Sequence, residues 1–387
     1  MKNLETLIQE LCPDGVEFVK LGDCCSFKRG TTITAKNAIP GDVPVLAGGQ
    51  KPAYYHNEAN RTGETIVVAG SGAYAGFVSY WTIPVFLSDS FSVEPDDRLV
   101  VKFVYYFFKN IQQKIFATKK GSGVPHVHGS SIEKFEIPLP PIEVQTEIVR
   151  ILDKFTSLEA ELEAELDCRK RQYEYYRDKL LSFENVGGQE VKWKKMSEVC
   201  KNICSGGTPL TSKAEYYDGN IPWLRTQEVD YCEIHSTLRN ITQLGLDNSS
   251  AKMIPANCVI VAMYGSTAAK VAINKIPLCT NQACCNLEID EDKALVRYVY
   301  QWICKQYEVL KAMGEGSQHN INAQKVKDFK IPIPSLEEQH RIVSILDRFE
   351  SLTTSLQSGL PAEIVARRQQ YEHYRDKLLT FKRKGAA

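Results

Sequence analysis

The chain carries its own copy. Phe135-Glu136-Ile137-Pro138-Leu139-Pro140 returns as Phe329-Lys330-Ile331-Pro332-Ile333-Pro334, and Gln145, Ile148, Ile151-Leu152-Asp153 and Phe155 return as Gln339, Ile342, Ile345-Leu346-Asp347 and Phe349. All are 194 residues further on. Gln172-Tyr173-x-x-Tyr176-Arg177-Asp178-Lys179-Leu180-Leu181 then returns as Gln370-Tyr371-x-x-Tyr374-Arg375-Asp376-Lys377-Leu378-Leu379, an offset of 198. Self-similarity over so long a period sets the architecture before any local propensity is considered. The four-residue growth is close to one helical turn, so it lengthens a helix while rotating its apolar face little. Both matched segments therefore read as helices. In the first, Ile148, Leu152, Phe155, Leu158, Leu162, Leu166, Tyr173, Tyr176 and Leu180 recur at spacings of three, four or seven, as a coiled-coil seam requires. Ile342, Leu346, Phe349, Leu352, Leu356, Leu360, Ile364, Tyr371, Tyr374 and Leu378 do so in the second. Ser358-Gly359-Leu360-Pro361 should weaken or kink that second helix.

Each helix follows a lobe of roughly 130 residues, a size within the ordinary domain range. The lobes match only weakly: Val16-x-Phe18-x-x-Leu21 parallels Val191-x-Trp193-x-x-Met196, and Gly41-Asp42-Val43-Pro44 parallels Gly219-Asn220-Ile221-Pro222. Short β-rich runs such as Thr65–Ala69 and Cys258–Ala262 end in Gly/Ser turns, so the lobes read as α+β domains with many short strands. The expected order is a lobe at 1–141, a helix at 142–184, a lobe at 185–334 and a helix at 335–384. Strongly alike helices joined to divergent lobes describe one scaffold presenting two different surfaces.

The composition narrows the class. The chain has 387 residues, 43% hydrophobic and 24% charged. Its longest apolar runs fall far short of the roughly 18 residues of a membrane span. The start, Met1-Lys2-Asn3-Leu4-Glu5, lacks the features of a secretory signal, so a cytoplasmic location without membrane is expected. Twelve cysteines without a C-x-x-C pair read as free thiols rather than a metal set. Net charge is zero but segregated. Residues 12–134 hold 13 Lys and Arg against 11 acids and residues 190–330 hold 17 against 15, while 143–184 holds 7 against 11. Contact with a polyanion would come from local patches on the lobes.

The Ile-Pro-x-Pro segments at 137–140 and 331–334, the Glu-x-Gln segments ending at Gln145 and Gln339, and the paired Tyr-x-x-Tyr-Arg-Asp-Lys-Leu-Leu segments resemble the specificity subunits of type I restriction-modification systems along essentially the whole chain. Leu11-Cys12-Pro13-Asp14-Gly15-Val16 and Leu360-Pro361-Ala362-Glu363-Ile364 belong to the same resemblance. It implies two target-recognition domains separated by two long helices that form an antiparallel coiled coil with pseudo-twofold symmetry. It also implies double-stranded DNA, two modification (methyltransferase) subunits and two restriction subunits as partners. The chain itself would be non-catalytic. S-adenosylmethionine would serve the modification subunit, and ATP and Mg the restriction subunit. The residues agree, since neither an amino-methyltransferase tetrapeptide nor a Walker-type phosphate loop occurs.

Three matched loops carry side chains suited to phosphates and base edges. Lys28, Arg29 and Thr31 pair with Thr208; Ser71 and Tyr74 pair with Tyr264 and Ser266; Lys119, Lys120 and His126 pair with Gln318 and His319. Arg225 and Gln227 suit guanine and adenine edges. Each of these residues equally fits a turn with satisfied polar caps. On the helices, Arg169-Lys170-Arg171 and Arg367-Arg368 fall at corresponding places, as do Arg177 and Arg375, and suit a partner subunit or spacer phosphates, a solvated helix face being the plain alternative. Tyr173, Tyr176, Tyr371 and Tyr374 fall on the seam and suit packing, with hydroxyls left for a partner. A duplicated coiled-coil adaptor that touches no DNA is the competing function. A mobility shift separates the two.

Overall fold

The computed structural model describes residues 4–183, 191–315, 320–354 and 359–385. It divides into two units, Met1–Ala164 with Glu363–Ala387, and Glu165–Ala362. Each unit contains one lobe.

In the first lobe, the strands Cys25–Arg29, Ser90–Pro95, Thr65–Ala69 and Val78–Trp81 lie side by side in that order, all antiparallel. Helix α1 (Val101–Asn110) covers this sheet because Phe103, Val104, Phe107 and Phe108 fall on one face and are buried with Ile66, Val68, Val78 and Val93. A smaller sheet orders Tyr54–His56, Val43–Leu46 and Phe86–Leu87. The lobe is closed by a two-stranded clasp in which Glu17–Lys20 pairs antiparallel with Glu136–Leu139, Phe18 opposite Pro138. The Ile-Pro-x-Pro segment is thus a clasp strand, and its proline is tolerated because the ribbon has a free edge.

The second lobe repeats the plan. Its larger sheet orders Cys200–Ser205, Cys284–Ile289, Val259–Ala262, Val271–Asn274 and Cys232–Ile234, the last strand parallel to its neighbour. The clasp pairs Lys192–Lys195 with Lys330–Ile333, Trp193 opposite Pro332.

Helix α2 (Ile142–Leu180) leaves the first lobe and helix α3 (Val296–Lys305) covers the second sheet, followed by α4 (Leu336–Thr354) and α5 (Leu360–Leu378). Gln145 at the start of α2 is fully buried; its amide oxygen accepts from Val100 N at 2.8 Å, and its nitrogen donates to Arg98 O at 2.9 Å and Pro140 O at 2.8 Å. Gln339 does the same at the start of α4, accepting from Leu295 N at 2.9 Å and donating to Lys293 O and Pro334 O at 3.3 and 3.0 Å. The matched glutamine therefore ties each outgoing helix to the unpaired N-terminal end of its lobe's covering helix. Ile148 and Leu152, like Ile342 and Leu346, are fully buried one and two turns on, each burial contributing about 1.5–3 kcal/mol. Asp153 then accepts from Lys102 Nζ at 2.8 Å and Tyr106 OH at 2.5 Å, and Asp347 from Arg297 at 2.6 Å.

The second long helical region is described as two segments, Leu336–Thr354 and Leu360–Leu378. Gly359 takes φ +89°, and Pro361 sits in the first turn of α5, where its missing N–H costs nothing. Leu356 of the expected seam and Ser358 of the expected kink lie outside the described residues. One seam position is corrected: Leu352 is 37% exposed and Thr353 is 4% exposed. Thr353 can be turned inward because its hydroxyl donates to Phe349 O at 2.8 Å, leaving its methyl to pack.

Candidate nucleic-acid interface

In the first lobe the three sequence-predicted loops meet at one end of the sheet. Gly30 N donates to Ser90 O and Thr31 N to Leu87 O, both at 2.9 Å. Ser71 and Lys120 both form β-bridges with His126, and Gly72 N donates to Pro125 O at 3.0 Å. The Ser71 hydroxyl donates to Asp89, whose other carboxylate oxygen lies 3.5 Å from the Arg29 guanidinium. Arg29, His126 and His128 share a cavity of about 190 Å³ floored by Phe27 and Phe91. The two imidazoles are near parallel, 6.3 Å apart. Lys28 pairs with Glu94 at 2.5 Å, and Tyr74 is exposed. Lys119 is held to the lobe, its ammonium 4.5 Å from the Phe116 ring centre and 3.2 Å from Ala73 O.

The second lobe assembles the same places with different chemistry. Gly207 N donates to Thr280 O as Thr31 N does to Leu87 O, and Asn281 N meets Leu224 O as Ser88 N meets Leu46 O. A Cβ on Gly30 would lie 2.2 Å from Leu87 O, and one on Gly206 2.0 Å from Thr280 O. These equivalences shift the expected pairing by one residue: Thr31 corresponds to Gly207, with Thr208 one step beyond. The Thr208 hydroxyl donates to Gln282. Gly265 N approaches Asn320 Oδ1 at 3.4 Å, joining the loop of Tyr264 and Ser266, both exposed, to the third loop. Gln318 and His319 lie outside the described residues. The Thr267 hydroxyl donates to Thr226 O at 2.8 Å and brings in the turn of Arg225 and Gln227. Arg225 is half-buried, its Nε 3.9 Å from Glu228 and without a hydrogen-bond partner among the described residues.

On the helices, every matched arginine has a carboxylate nearby. Arg169 pairs with Glu165 at 2.7 Å, Arg171 with Asp167 at 2.9 Å, Arg177 with Asp178 at 3.4 Å and Arg367 with Glu363 at 3.3 Å. Arg375 pairs with Asp376 at 2.9 Å and approaches Asn110 at 3.4 Å. Among the described residues Arg368 is the one of the six whose carboxylate partners lie on another helix, Glu159 and Glu163 of α2. The rings pack in matched pairs: Tyr374 stacks on Phe155 at 5.3 Å and Tyr176 on Phe349 at 5.4 Å. Since Phe155 faces Tyr374 while Glu163, further along α2, faces the earlier Arg368, α2 and α5 run antiparallel within the first unit. Tyr371 lies 6.5 Å from Tyr106, and burial pushes its phenol up to about 12. The Tyr173 hydroxyl donates to Gln301 at 2.8 Å.

Asp89 and Gln282 are the residues that sequence reasoning missed. Neither sits in a motif. The signal was positional: both occupy the turn just before the strand that pairs with the first loop's strand.

Residues 13–167 and 189–366 match the type I restriction modification DNA specificity domain. The chain is 35% identical to the EcoR124I/EcoR124II specificity subunit of Escherichia coli, the match covering 98% of this chain and 97% of that protein. It is 28% identical to a putative type I restriction enzyme specificity subunit of Haemophilus influenzae, over 98% of this chain and all of that one. Among solved structures, the S subunit of a type I restriction-modification system from M. genitalium superposes with TM-score 0.62 at 18% identity, covering 94% of this chain and 96% of that one. The HsdS subunit from Thermoanaerobacter tengcongensis superposes at 0.51 and 17%, covering 95% and 96%. Both likenesses show the fold. No helix among the described residues is long and apolar enough to cross a membrane.

Proposed function

The chain belongs to the type I restriction modification DNA specificity family, and from that membership we propose that residues 1–141 and 185–334 each read one half of a bipartite DNA target. Residues 142–184 and 335–384 set the spacing of the halves and dock two modification and two restriction subunits. The single observation that carries this reading is the contrast between frame and loops. Gln145 and Gln339 make the same three bonds, whereas the loops at the sheet ends hold Arg29, Asp89 and His126 in one lobe and Thr208, Gln282 and Asn320 in the other. A frame kept constant under a changing surface is what two independent readers on one scaffold require.

The chain contributes recognition and no bond-making step. S-adenosylmethionine belongs to the modification subunit, and ATP and Mg to the restriction subunit. Lys28, Arg29, Thr31, Ser71, Tyr74, Lys119, Lys120 and His126 face the first half-site. Thr208, Arg225, Gln227, Tyr264, Ser266, Gln318 and His319 face the second. The test is genome-wide adenine-methylation mapping in a host expressing the chain with its modification subunit. A bipartite motif with a fixed non-specific spacer is expected. Its absence, with no shift of random-sequence DNA by the purified complex, would leave the adaptor reading.

A further inference from the structure

Resting on the reading of the first lobe as a DNA reader, we propose that Arg29 recognises a guanine in the first half-site and that Asp89 is the positioning residue that aims it. Arg29 ends its strand with a side chain 72% exposed, yet the base of that side chain is fixed. Its carbonyl accepts from Arg61 Nη2 at 3.3 Å, and Gly30 presses the following turn against Leu87. At the far end, one oxygen of Asp89 lies 3.5 Å from Arg29 Nη2 while the other accepts the Ser71 hydroxyl. The guanidinium is therefore held at one edge by a carboxylate that is itself held. Its planar fork has five N–H donors, so a second edge stays open to solvent.

The adjacent carboxylate decides what that edge takes. A phosphate would meet the negative charge of Asp89 a few ångströms behind the guanidinium, whereas the O6 and N7 of guanine are neutral acceptors that match the fork. The pairing with Asp89 also offsets the charge that would otherwise displace counterions, so Arg29 contributes discrimination rather than salt-dependent affinity. The same place in the second lobe holds Ser205, Thr208 and Gln282, which leaves this contact to the first half-site.

The experiment is selection from random-sequence DNA by the purified complex with its modification subunit, followed by salt titration of binding to the selected site. Arg29→Ala should open a single G·C position of the first half-site to any base, with roughly a tenfold or greater loss of preference there. The salt slope should fall by less than the ~0.9 that one lost phosphate contact removes. Asp89→Asn should relax the same position in part, and the double variant should match Arg29→Ala alone, because a positioning residue has nothing left to aim. Full parental preference in Arg29→Ala, or uniform weakening with a slope drop of about 0.9, overturns the assignment while the parental motif still supports the functional reading. A further loss in the double variant overturns the role of Asp89. A parent that selects no motif overturns the functional reading and this inference together.

Discussion

The first lobe presents charge where the second presents amides and hydroxyls. Arg29, Asp89, Lys120 and His126 gather at the end of one sheet, and Thr208, Gln282, Ser266 and Asn320 gather at the end of the other. Behind those loops the two lobes are built alike: a two-stranded clasp closed opposite a proline, a covering helix, and a buried glutamine that ties the outgoing helix to both. Under the proposed function, folding and recognition are carried by separate residues. None of the buried glutamine, isoleucine and leucine positions that hold the frame lies among the loop side chains.

The largest effect that would break this comparison comes from replacing residues 190–330 with the second lobe of another specificity subunit. Methylation mapping should then show one half of the motif replaced whole and the other untouched. A change in both halves would mean that the lobes do not read independently.

Length can be varied while both lobes are kept. Leu158-Glu159-Ala160-Glu161 is followed directly by Leu162-Glu163-Ala164-Glu165, and a third copy after Glu165 adds about 6 Å of helix with only about 40° of rotation past a full turn. The expected outcome is a non-specific spacer longer by one or two base pairs with both half-sites unchanged. An active variant that kept the parental spacer would show that the helices are not the ruler.

The likeness of the two frames is tested by Gln145→Ala and Gln339→Ala. Each leaves a part-buried N–H and two carbonyls without their partner, a loss of about 1–2 kcal/mol. Urea midpoints should fall by similar amounts in the two variants, and a loss confined to one of them would show that the frames have diverged in energy as well as in surface.

The smallest effect separates Lys119 from Lys120. Replacing both with Ala should lower the salt slope of DNA binding by roughly one to two units. Lys119 is already held by Phe116 and Ala73, so Lys120→Ala alone should supply the larger share. Equal contributions from the two would contradict that difference.

Much of the frame was legible in the sequence because its determinants are local or repeated. The apolar spacing from Ile148 to Leu180 marked a helix, and the recurrence of Gln145 as Gln339 marked a position under constraint, although its bonds to Val100 and Leu295 emerge only in three dimensions. Short Gly-containing strings mark the loops but align them one residue out, since Thr31 corresponds to Gly207. Periodicity also chose Leu352 over Thr353, since a hydropathy pattern cannot see that a threonine hydroxyl bonded to the preceding turn frees its methyl to pack. Asp89 stayed hidden because its role depends on Arg29, 60 residues away in sequence, and on Ser71 in a third segment.

Arg368 holds the leading glutamate of each tandem unit, Glu159 and Glu163, at once. Because the units are identical, gaining one offers that arginine the same pair of partners again, whereas losing one leaves a single leading glutamate with Asp167 in the second place. A gained unit therefore keeps the one contact between α2 and α5 that falls on the repeat, and if the helices set the reach as proposed, it changes reach without touching the apolar seam.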